Sequence, residues 1–154
     1  MRIAQLANFI GPTSGGMRRA VEELGKGYIA AGHDRLLVIP GSRTLTRETE
    51  AGTIAQIHAP RVTGGYRMIV DLPAVFAALK RFGPTSIEVS DKWTLAAAAR
   101  WARSRGVGSA LFSHERLDDM AGDFTRLPVR IPVHWLNRGL ARAFRAATAR
   151  WVAP

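Results

Sequence analysis

The stretch RIAQLANFIGPTSGGMRRAVEELGKGYIAAGHDRLLVIPG, residues 2–41, decides the fold. Ile3–Ala7 is short and apolar, as a buried strand is, and it runs into the glycine-rich turn Gly11-Pro12-Thr13-Ser14-Gly15-Gly16. From Gly16 to Ala31 the apolar residues Met17, Ala20, Val21, Leu24, Tyr28 and Ile29 recur at helical spacing, and Gly32 closes the helix. Leu36–Ile39 reads as a second buried strand, stopped by Pro40-Gly41. Strand, turn, helix and strand in this order make the βαβ unit of a parallel sheet.

The same alternation continues outward from that unit. Thr53–Ile57 is predicted as a third strand, Leu72–Phe82 as a helix with Asp71 at its N-cap and Pro73 in its first turn, and Ser86–Val89 as a fourth strand. Thr94–Arg105 is an alanine-rich helix ended by Gly106, Gly108–Phe112 a fifth strand, and Val129–Ala149 mostly helical. Trp151–Ala153 starts a sixth strand. The pattern predicts a Rossmann-like, doubly wound α/β domain over residues 1–154, a parallel sheet of about six strands with helices on both faces. A strand that starts just before Pro154 also suggests a piece of a longer protein.

Bulk properties narrow the function classes. The 154 residues suit one domain, and 47% hydrophobic with 22% charged residues is a globular composition. No apolar run approaches the ~20 residues needed to span a bilayer, and Met1–Asn8 is too short and polar for a secretory segment. Cysteine is absent, which excludes disulfides and thiolate metal sites and is compatible with the cytoplasm. The net charge of +10 favours polyanionic partners: nucleic acid, an anionic membrane face or phosphorylated substrates. An arginine-rich composition accounts for the same charge, since only Lys26, Lys80 and Lys92 are lysines.

In open α/β sheets ligands bind beyond the carboxyl ends of the strands. That edge gathers Asn8–Gly16, Pro40–Arg43, His58–Arg67, Ser90-Asp91 and Ser113–Asp119. Gly15 and Gly16 let backbone N–H groups approach an anion at a helix N-terminus, although a tight βα turn alone could also call for glycine. Arg18 and Arg19 sit in the first turn, where a bound anion would offset their conflict with the helix dipole. The turn is neither G-x-G-x-x-G nor a Walker A loop, and no acidic residue follows the second strand to hold a ribose; Arg43 leaves a narrow opening for NADP. Ser113–Asp119 collects His114, Glu115, Arg116, Asp118 and Asp119. His114 at a strand end beside Arg116 is a candidate functional residue, and His114 with Asp118 lacks the third ligand a metal would need. Gly64-Gly65-Tyr66-Arg67 offers an aromatic ring and a cation for a sugar or phosphate, or is an ordinary loop. His33, His58 and His134 read as surface or packing residues, and Arg138, Arg142 and Arg145 as a solvated helix face.

The opening segment, with its Gly-Gly turn and the "AAGHD" entry to the second strand, resembles family 4 glycosyltransferases of the two-Rossmann-domain (GT-B) type. TGGYR (63–67), IEVSDKWTL (87–95), RWARSRGV (100–107) and SHERLDDM (113–120) narrow the resemblance to actinobacterial GDP-mannose-dependent phosphatidylinositol mannosyltransferases. It implies retaining, metal-independent transfer of a hexose from a sugar nucleotide to an anionic lipid acceptor, with no further cofactor, at the cytoplasmic face of the plasma membrane. It places Gly15 and Gly16 near the donor diphosphate and acceptor and His114 against the transferred sugar. Arg67 and Asp91 fall in matching segments without an assigned role. It also implies a second, donor-binding domain C-terminal to this one, so the 154 residues alone are expected to be inactive. The competing readings are a basic α/β nucleic-acid-binding module, which no recognisable nucleic-acid motif supports, and an NADP-dependent oxidoreductase.

Overall fold

The computed structural model describes residues 1–8, 10, 15–62, 65–90, 93–112 and 150–152. In chain order the elements are β1 (Arg2–Leu6), α1 (Gly15–Ala30), β2 (Asp34–Gly41), β3 (Leu45–Thr49), β4 (Gly52–His58), α2 (Leu72–Phe82), β5 (Ser86–Val89), α3 (Ala96–Arg103), β6 (Gly108–Phe112) and β7 (Arg150–Val152). They form one seven-stranded sheet in the order β3-β4-β2-β1-β5-β6-β7. Every neighbouring pair is parallel except β3 with β4.

The doubly wound reading holds, with two corrections to the strands. The first is β3, an antiparallel edge strand where no strand is predicted, so Thr53–Ile57 belongs to the fourth strand and the sheet is mixed. Leu45-Thr46-Arg47-Glu48-Thr49 is mostly exposed and carries charges, as suits a strand with solvent on its outer side, so it lacks an apolar run. Its turn needs Gly52: φ is +95°, and a Cβ there would press on the Arg35 carbonyl oxygen at 2.6 Å. The second correction is that Pro40-Gly41 does not stop β2. Beyond Val38 the strand has lost β1 and is paired with β4 alone, a position where proline is tolerated.

The two faces of the sheet are unequal. Period-two alternation sends Ala4, Leu6, Leu36, Val38, Ile87 and Val89 to the face covered by α2 and α3, which holds most of the buried apolar side chains. Trp101 of α3 stacks on Phe76 of α2, ring centroids 6.3 Å apart, and joins the two helices. The face under α1 has only a small apolar cluster, Ala7, Val21 and Leu37 with Ile10, Met17, Ile39 and Ile54 beside it. Beside Ile3, that side also buries two polar side chains: Gln5 and Arg35 are 2% and 3% exposed.

Helix boundaries follow local chemistry. The Asp71 carboxylate accepts the Ala74 N–H at 3.0 Å, and Gly83 closes α2 in the left-handed conformation with its N–H on the Leu79 carbonyl. Asp71→Ala should cost about 1 kcal/mol and lower the melting temperature by about 2–4 °C in calorimetry. By contrast α3 starts at Ala96, two residues later than its alanine run predicts, and without a side-chain cap. The Thr94 hydroxyl that would cap it accepts a hydrogen bond from the Asn8 amide instead.

Candidate functional site

All the parallel strands end at one edge, and three of the segments that leave them there are joined by one buried side chain. Asn8, wholly inaccessible to solvent, follows β1 directly. Its Nδ2 donates to Thr94 Oγ1 at 3.0 Å, and its Oδ1 accepts the buried Ile69 N–H at 2.9 Å. The segments after β1, β4 and β5 are thereby tied to one point. The chain neighbours of those two partners, Val70 and Trp93, are exposed large apolar residues at the same edge, 53% and 45% accessible.

Gly15 and Gly16 are the first two residues of α1 and are exposed at this edge. Among the described residues a Cβ at either would meet nothing within 4 Å, and neither glycine has positive φ, so no described neighbour and no left-handed backbone requires glycine there. What the pair offers is backbone N–H groups at a helix N-terminus without side chains of its own in the way. No acidic residue occupies the first turn of α1, so no side chain of that turn neutralises the positive end of its dipole.

Arg18 and Arg19 are both exposed. The Arg18 guanidinium donates to Glu22 at 2.8 Å across one helical turn, an exposed pair worth about 0.3–0.5 kcal/mol, so it is held only weakly. Arg67 is half-buried, and part of its role is structural. It pairs with Arg61 in an antiparallel bridge, and its guanidinium donates to the Ala59 carbonyl. Beside that bridge the Val62 N–H donates to the Tyr66 carbonyl at 2.8 Å. His33 and His58 behave as surface residues: His33 faces the N-terminal amino group at 3.3 Å, and His58 is exposed at the end of β4.

His114, Arg116 and Asp91 lie outside the described residues, as do His134 and the arginine stripe on the last helix. The structure therefore brings Gly15, Gly16, Arg18, Arg19 and Arg67 to the predicted edge and bears on none of the other three. Among the described residues no group of three or more His, Asp or Glu side chains stands close enough to hold a metal, and no helix is long and apolar enough to cross a membrane.

Asn8 is the residue that sequence reading missed. The available signal was an amide immediately after a buried apolar strand, a place where a polar side chain must find partners. Its partners are 61 and 86 residues away, and no local pattern points to them.

Comparison with known proteins adds identity to this geometry. The profile of the glycosyl transferase 4-like domain matches residues 15–154. Two curated proteins named GDP-mannose-dependent alpha-(1-6)-phosphatidylinositol dimannoside mannosyltransferase, from Mycobacterium tuberculosis strains H37Ra and CDC 1551, are each 45% identical over 126 residues, covering 79% of this chain and 32% of the relative. The chain thus spans about a third of the length of these relatives. Sucrose-phosphate synthase from Thermosynechococcus elongatus superposes with a TM-score of 0.60 at 12% identity, over 100% of this chain and 47% of that one. MurG from Acinetobacter baumannii superposes with a TM-score of 0.58 at 9% identity, over 99% and 40%. At such identities these two show the shared fold alone.

Proposed function

From the premise that this chain belongs to the glycosyl transferase 4-like family, we propose that it is the acceptor-side domain of a retaining mannosyltransferase that moves mannose from GDP-mannose to a phosphatidylinositol mannoside. The observation that carries the reading is the 45% identity over 126 residues to relatives bearing that activity in their names. The geometry supports it independently, because the Gly15-Gly16 pair, without positive φ, stands at the N-terminus of α1, whose first turn carries no acidic residue, as a backbone cradle for a diphosphate would.

In this reading the α1 N-terminus and the cations Arg18 and Arg19 stabilise negative charge that grows on the diphosphate as the glycosidic bond breaks. Arg18 is free to leave Glu22 for a phosphate, because the exposed pair it abandons is weak. Arg67, Asp91 and Arg116 contribute to substrate binding, and His114 hydrogen-bonds the transferred sugar. Transfer needs no metal and no cofactor beyond the donor. Most contacts to the donor come from a second domain outside these residues, so the 154 residues by themselves are expected to transfer nothing. The +10 charge draws the protein to the anionic inner face of the plasma membrane, with each suitably placed cation contributing about 1 kcal/mol.

The test is mannose transfer by the full-length protein that carries this chain. With labelled GDP-mannose and a phosphatidylinositol dimannoside, a labelled lipid with α-linked mannose is expected, equally with and without a chelator. Transfer from a uridine nucleotide instead would reassign the donor, and an inverted anomeric linkage would overturn the retaining chemistry.

A further inference from the structure

The face of the sheet beneath α1 is built against the usual logic of burial. Arg35 of β2 is 3% exposed, and burial pulls its basicity down, partly offset by Glu88 and Glu22. Its guanidinium donates to Gln5 Oε1 of β1 at 2.7 Å, to the Ala51 carbonyl of the β3–β4 turn at 2.9 Å and to the Val21 carbonyl of α1 at 3.0 Å. The Gln5 amide donates to Glu88 Oε2 of β5 at 3.0 Å, and the Tyr28 hydroxyl of α1 donates to Glu88 Oε1 at 2.5 Å. Three strands, one turn and one helix meet in a single hydrogen-bonded chain. Gly25 makes room for it: a Cβ at that position would collide with the Arg35 guanidinium, and its absence lets the guanidinium reach a mid-helix carbonyl.

Apolar contact does little to orient α1. Of its sixteen residues only Val21 and Gly25 are buried, and Leu24 is 39% exposed. Apolar contacts are non-directional and tolerate sliding, whereas these hydrogen bonds do not. A helix that slips by one residue moves about 1.5 Å along its axis and turns its side chains by about 100°. Such a slip would carry Gly15, Gly16 and Arg18 away from their places at the sheet edge. Replacing buried ion pairs with apolar side chains is often neutral or stabilising, so stability alone does not explain a buried arginine bridged to a half-buried glutamate through Gln5.

We infer that Tyr28, Glu88, Gln5 and Arg35 are positioning residues that fix the register of α1, so that its Gly15-Gly16 end is presented at one place to the phosphates of the sugar nucleotide. The inference rests on the transferase reading for the identity of the ligand, and on the hydrogen-bond network for the register.

Tyr28→Phe in the full-length protein tests it, since the ring stays and only the hydroxyl pin is lost. Hydrogen exchange of the α1 amides should quicken about tenfold, the worth of one hydrogen bond to a charged acceptor, while β1 and β5 amides are unchanged. The affinity for GDP, measured by calorimetry, should fall several-fold, the KM for the sugar nucleotide should rise and kcat should fall with it, with the KM for the lipid acceptor unchanged. Unaltered α1 exchange, or a lower melting temperature with unaltered GDP affinity, would reduce the network to a packing role. If the parent protein neither binds GDP nor transfers mannose, the transferase reading fails, and with it the ligand; faster exchange confined to α1 would still uphold the register role, and its absence would overturn that too.

Discussion

Asn8→Leu should destabilise the chain by about 2–4 kcal/mol and lower its melting temperature by about 5–15 °C. Leucine is close in size and fits an apolar surround, so the loss comes from hydrogen bonds rather than from a cavity. The Ile69 N–H is buried and would be left without its acceptor, a defect of about 1–3 kcal/mol, and the bond to Thr94 adds about 1 kcal/mol. Thr94→Val removes only the second bond and should cost about 1 kcal/mol. The double variant should fall short of additivity, because both changes delete the same contact. Calorimetric melting of the three variants checks the set. An Asn8→Leu variant as stable as the parent would mean that the three segments do not depend on this side chain.

His114→Ala in the full-length enzyme is the second large effect. If His114 hydrogen-bonds the transferred sugar as charge develops, turnover should drop by about two to three orders of magnitude, corresponding to ~2.7–4 kcal/mol. Binding of the lipid acceptor should change little, and added divalent metal should restore nothing. Steady-state kinetics on a folded variant decides it: near-normal kcat removes His114 from the site, and activity lost to a chelator and regained with metal would make it a ligand instead.

The fold was legible wherever burial imposed a period. The strands of the βαβ opening and α2 with its Asp71 cap are found where their residues place them, because two buried faces and a side-chain cap leave local signatures. β3 was not legible, since an exposed edge strand has no apolar face to display. Pro40 misled because its cost depends on whether a neighbouring strand needs its missing N–H, and β1 ends before it can. At the site, Gly15 and Gly16 were readable because a strand, a glycine turn and a helix are contiguous in the chain. Asn8 and the Arg35–Gln5–Glu88–Tyr28 chain were not, because their partners are brought together only by the crossover order of the sheet.

The room left by Gly25 has an evolutionary consequence. A side chain at that position would push the Arg35 guanidinium out of its present place and off its hydrogen bonds, and an arginine at position 35 without Gln5 and Glu88 would stand buried with fewer partners. The four sites are therefore coupled. Replacing Gly25 while Arg35 stays disturbs the whole chain of hydrogen bonds, so the cost of a single substitution at one of these sites depends on what stands at the others, and a concerted exchange to an apolar set is the less costly route.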